Sequence, residues 1–93
     1  MIKSIKCRET AKIFDMEVSK RLPRSIHQRA YDKLRMLHNA ATLVDLRIPP
    51  SNNLEKLSGD RSDQYSIRVN KQWRICFEWI DNDAYEVEIT DYH

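Results

Sequence analysis

Gly59 is the only glycine among the 93 residues of this chain, and its three prolines are Pro23, Pro49 and Pro50. A chain so poor in glycine holds no Gly/Ser linker, and it carries no repeat or low-complexity tract either. No apolar run approaches the roughly 18 residues that a membrane span needs. The N-terminus, MIKSIKCRET, is basic but lacks the apolar stretch and small-residue cleavage site of a secretory signal, so a cytoplasmic location is expected. Cysteine is scarce too. Cys7 and Cys76 stand far apart, with no CxxC and no paired histidine spacing. They read as thiols in a reducing compartment, with neither a disulfide nor a zinc site expected. His27 and His38 give no metal-ligand spacing, so no metal or cofactor is expected.

Hydrophobic residues make up 41% of the chain and charged residues 32%, which fits one modest core in a single domain, residues 1–93. The net charge of +2 conceals an asymmetry: residues 1–50 carry eleven Lys/Arg against five Asp/Glu, residues 51–93 five against nine. A basic half suits an anionic partner, nucleic acid first among them, and equally suits a solvated helix face.

The hydrophobic period changes along the chain. MIKSIKC alternates weakly and reads as an opening strand. ETAKIFDMEVSK reads as a short helix with Thr10 as its N-cap. After Pro23, the residues Ile26, Ala30, Leu34, Leu37 and Ala41 fall at helical spacing, with Arg29, Lys33 and Arg35 off that stripe. TLVDLRIPP is a helical turn or a loop, stopped by Pro49 and Pro50. From there the period is two. Tyr65, Ile67 and Val69 alternate with polar residues; Trp73, Ile75, Phe77 and Trp79 alternate with Arg74, Cys76 and Glu78; Tyr85, Val87 and Ile89 alternate with Glu86 and Glu88. SGDRSD (58–63), NKQ (70–72) and DNDA (81–84) are the turn signals, and NNLEKLS is a shorter strand before them. The expected fold is α+β: an N-terminal strand and two helices packed on one face of an antiparallel sheet of about four to five strands.

That sheet has two unlike faces. Trp73, Trp79 and Tyr65 share the apolar phase and read as core, while His27 and His38 read as surface or boundary residues of the helix. Arg68 and Arg74 are expected to face the same way on neighbouring strands. Two guanidiniums side by side call for an anion between them. A carboxylate such as Glu78 or Glu88 would be the structural answer, and a phosphate the functional one.

LEKLSGDRSDQYSIRVNKQWRICFEW, followed by a terminal DYH, resembles the HigB branch of the RelE/ParE toxin superfamily, with its GraT-like chains nearest. The resemblance runs over nearly the whole length, and the combination of these motifs is far more specific than any one of them. It implies a RelE-like fold and the toxin of a two-gene toxin–antitoxin module. The implied activity is metal-independent, ribosome-dependent cleavage of mRNA in the A site. The implied partners are a HigA-like helix-turn-helix antitoxin, the ribosome and its mRNA, with operator DNA reached only through the antitoxin and no membrane involved. By the same resemblance Asp91, Tyr92 and His93 form part of the active site and Arg74 flanks it, whereas the role of Arg68 is not fixed. One departure stands out. A member of the family has a catalytically implicated histidine before the GDR turn, and here that position is Glu55.

Metal-free cleavage of RNA requires a base for the 2′-hydroxyl, charge stabilisation at the nonbridging oxygens and an acid for the departing 5′-oxygen. His93 can serve as acid or base. Tyr92 can stack on a base or donate to a phosphate, and Arg74, with Arg68, can clamp the phosphate. Asp91 is expected to orient a partner, and Glu55 is the candidate base. Lys56, Arg61, Lys71 and Arg68 are candidate RNA contacts, or plain soluble surface. Two other readings stay open: a ParE-like poison of gyrase that cleaves nothing, and a catalytically weak toxin acting mainly in its antitoxin complex.

Overall fold

The switch of hydrophobic period near residue 50 is the switch from helix to sheet. A computed structural model describes residues 1–57 and 63–91. Helices α1 (Arg8–Phe14), α2 (His27–Asn39) and α3 (Leu43–Arg47) precede strands β1 (Glu55–Lys56), β2 (Gln64–Arg68), β3 (Trp73–Ile80) and β4 (Asp83–Asp91). Two 3₁₀ turns, Arg24–Ile26 and Pro50–Asn52, open α2 and lead into β1. The strands form one antiparallel sheet in sequence order, β1-β2-β3-β4. The SGDRSD turn lies outside the described residues, apart from Asp63.

The helices cover one sheet face because both sides of that contact carry the apolar phase of their own period. Ile26, Ala30, Leu34 and Leu37 of the helical stripe meet Ile67, Ile75, Phe77 and Val87, each 3% exposed or less. Tyr65, Trp73 and Trp79 pack half-buried against this cluster, as their phase implied. Both histidines of the α2 region are half-buried, at the boundary.

Several local expectations give way to tertiary contacts. The opening strand reduces to isolated parallel bridges, Ile2 with Ala84 and Ile5 with Val87, along the edge of β4. Between them the Glu86 N–H turns to Ser4 Oγ at 2.8 Å instead of a main-chain carbonyl. Thr10 is not an N-cap: α1 starts at Arg8, and the fully buried Thr10 Oγ1 accepts the Ile89 N–H at 2.9 Å, tying helix to sheet. The stripe of α2 closes on Ala40 rather than Ala41, because the helix ends at Asn39 and a capping box of Thr42 and Asp45 starts α3. Lys33, expected off the apolar stripe, is buried at 7% exposure: three residues after Ala30 and four before Leu37, it shares their face of the helix. Its amine is satisfied inside by Ser51 Oγ and Asn52 Oδ1.

β4 changes phase midway. Cys76 pairs with Glu88 but Glu78 with Tyr85, so an extra residue is accommodated opposite Phe77. Glu86 takes up the irregularity at φ 52°, in the left-handed region. Ala84, Val87 and Ile89 therefore face the core, and Tyr85 stands across from Glu78 in the opposite phase.

Candidate active site

Strand alternation puts Ser66, Arg68, Arg74 and Cys76 on the sheet face turned away from the α2 stripe. Ser66 stands opposite Cys76 and Arg68 opposite Arg74, while Glu55 on β1 stands opposite Ser66. Three strands thus bring Glu55, Arg68 and Arg74 to one patch.

Arg74 is its centre. The residue is only 6% exposed. Its Nε donates to Ser66 Oγ at 2.8 Å, and Nη2 donates to the carbonyl of Asn53 at 2.6 Å and to that of Ser66 at 3.2 Å. Its Nη1 lies 3.3 Å from Glu55 Oε1 in an ion pair. Glu55 thereby supplies the carboxylate beside Arg74 where the sequence pattern pointed to Glu78 or Glu88; Glu88 Oε1 sits 3.7 Å from Lys6 Nζ. The reason is register: β1 is two residues long and delivers Glu55 at the row next to Arg74. Arg68, directly across from Arg74, is exposed. The patch therefore offers a buried, oriented guanidinium, a second cation open to solvent, and a carboxylate whose side chain is 47% exposed.

Asp91 ends β4 in register with Trp73, one residue past Thr90, which stands across from Arg74. Its carboxylate accepts a 3.1 Å hydrogen bond from Gln72 Nε2. Asp91 thus belongs to the same end of the sheet but to the opposite phase from Arg74. Lys56, across from Tyr65, is exposed on the other phase of β1, and Lys71 is exposed in the turn between β2 and β3. Tyr92, His93 and Arg61 lie outside the described residues. Among the described residues no group of three or more His, Cys, Asp or Glu is placed to hold a metal ion.

Ser66 and Asn53 escaped the sequence reading. Ser66 sits in the polar phase of β2 yet is fully buried, because it carries Arg74. Asn53 occupies the left-handed region at φ 42°, ψ 57°, and only the adjacent NN of the sequence hinted at a turn there.

A helix-covered antiparallel sheet is a fold this chain shares with solved structures. The chain superposes on a mutant of YafQ from E. coli with a TM-score of 0.65 at 13% identity, covering 98% of this chain and 93% of that one. A sequence model describing the RelE-like toxin of the type II toxin–antitoxin system HigB matches residues 4–93. Over 93 residues, the full length of both, the chain is 34% identical to the Endoribonuclease HigB of Proteus vulgaris. It is 46% identical over 63 residues to Toxin HigB-1 of Vibrio cholerae serotype O1, a match that covers 68% of this chain and 66% of that toxin. This chain belongs to the HigB-like toxin family.

Proposed function

We propose that this HigB-family toxin is an endoribonuclease that cuts mRNA in the ribosomal A site without a metal ion. Its module partner is then a HigA-like helix-turn-helix antitoxin, through which alone operator DNA is reached. It works in the cytoplasm, as one domain over 1–93; among the described residues no helix is long and apolar enough to cross a membrane.

The observation that carries this reading is the Arg74 guanidinium, buried, aimed by Ser66 and Asn53, and set across from a second, exposed arginine. A phosphate entering between Arg68 and Arg74 meets two cations and competes with Glu55 for the Nη1 edge of Arg74. Displaced from that ion pair, Glu55 is available to take the proton of the 2′-hydroxyl. The O2′–P bond forms as the P–O5′ bond breaks, the arginines balance the charge on the nonbridging oxygens, and His93 protonates the leaving 5′-oxygen. Tyr92 stacks on the neighbouring base and Asp91 orients the strand end, with Lys56, Arg61 and Lys71 adding backbone contacts. Binding on the ribosome contributes the alignment of the 2′-oxygen with the phosphate, which proton transfer alone does not supply.

Primer extension on an mRNA translated in a purified system tests the reading. It compares the wild-type protein, His93→Ala, and the wild-type protein on naked RNA. Cuts at A-site codons that need ribosomes and weaken in the variant are expected. If His93→Ala cuts as well as wild type, the reaction stands without His93. Growth arrest with no cuts at all would transfer the toxin to a non-nucleolytic mode of action, and gyrase would be assayed next.

A further inference from the structure

Lys33 points its amine into the protein rather than into solvent. Its Nζ donates to Asn52 Oδ1 at 2.6 Å and to Ser51 Oγ at 3.1 Å, both neutral oxygens. Asn52 is itself fully buried, and its Nδ2 donates to the Leu46 carbonyl at 2.9 Å and contacts Met36 Sδ at 3.1 Å. Both ends of one amide are thus used to tie α2, α3 and the 3₁₀ turn together. The next residue is Asn53, in the left-handed conformation, and its carbonyl is the 2.6 Å acceptor of Arg74 Nη2. Two residues further, β1 begins with Glu55, the carboxylate on Arg74.

Stability does not explain a buried amine here. Taking a cation out of water onto neutral acceptors costs free energy, and an apolar side chain of the same length packs without that cost. What the amine gives in return is direction: a short, charge-assisted bond that permits one orientation of the Asn52 amide. That orientation sets the entry to the left-handed turn, and the turn aims the carbonyl at Arg74.

We propose that Lys33, acting through Asn52, is a positioning residue for Arg74, locking the Asn53 turn that orients the guanidinium and delivers Glu55. The proposal rests on Arg74 being the phosphate-binding group of the cleavage reaction proposed above.

Lys33→Met in the full chain is the test, read in two ways. Cleavage is measured on programmed ribosomes at saturation and in titration, and the Arg74 Nε–H resonance is followed in ¹⁵N-labelled toxin. Expected are a kcat about tenfold lower with KM changed less than about twofold, and a displaced or broadened Arg74 signal. In an Arg74→Lys background, Lys33→Met should add no further loss, because the effect passes through the guanidinium. Losses that multiply in that background, or an Arg74 signal that does not move, overturn the proposal. If wild type cuts nothing but the Arg74 signal still moves in Lys33→Met, the positioning stands and the ribonuclease reading falls. Should Lys33→Met not fold, Asn53→Val replaces it. Asn53 is exposed, and a β-branched residue disfavours the left-handed turn, so the same kcat loss and the same movement of Arg74 are expected.

Discussion

Arg68 and Arg74 stand directly opposite one another on β2 and β3, yet one is exposed and the other is 6% exposed. Like charges in facing positions repel. The pair is tolerated because the Arg74 guanidinium is turned along the sheet toward Ser66, Asn53 and Glu55, leaving Arg68 to solvent. The two arginines are therefore not equivalent, and neither are their expected variants.

Arg74→Lys keeps the charge and loses the fork. A lysine amine cannot serve Ser66, Asn53 and a phosphate in the same plane. Cleavage on ribosomes should fall about a hundredfold or more, the scale of losing a preorganised charge-stabilising group. Arg74→Ala should also lower stability by about 1–3 kcal/mol, since the buried Ser66 hydroxyl loses its partner. Chemical denaturation of the purified toxin checks the second number.

Arg68→Ala should leave stability within about 0.5 kcal/mol of wild type, as for most exposed positions. Its effect belongs to RNA binding. Affinity for programmed ribosomes should weaken, and the slope of log affinity against log salt should become shallower by about one ion. An unchanged salt slope would remove Arg68 from the phosphate contacts.

His38 links pH to the N-terminal segment. Its Nδ1 accepts the Ile2 N–H at 3.1 Å, a bond that only the neutral nitrogen can make. Burial, then the charges of Arg35 and the N-terminal amine, push its pKa below the ordinary 6.5. The unfolded chain therefore binds the proton first as pH falls, so the stabilisation is complete above 6.5 and is lost on going down through the folded pKa. Wild type should lose stability relative to His38→Gln as pH falls below 6.5, with lower amide protection factors at Ile2 and Lys3.

Glu86 sits at φ 52° in the β4 irregularity and its side chain is exposed. Glycine carries no penalty in that region. Glu86→Gly should raise stability by up to about 1 kcal/mol, and Glu86→Val should lower it by at least as much. Thermal unfolding of the two variants against wild type decides it.

Much was legible in the residue pattern alone. The apolar period located α2 and the three longer strands, and the shared phase of Tyr65, Trp73, Trp79 and Phe77 identified the helix-facing side. The same alternation put Arg68 and Arg74 on one face, which the register bears out. These features survive because each depends on spacing within a single element.

What only the tertiary structure decided lies between elements. Nothing local says that Thr10 bonds Ile89, that Lys33 turns inward to Asn52, or that Glu55 rather than Glu78 or Glu88 supplies the carboxylate beside Arg74. Nor does alternation warn that Glu86 shifts the phase of β4 and exchanges Tyr85 for Ala84 in the core. Period follows from the geometry of one segment, and the sequence holds it wherever no irregularity such as that at Glu86 interrupts the strand. Pairing follows from which buried polar groups find partners once segments meet, and a polar residue's phase does not say who that partner is.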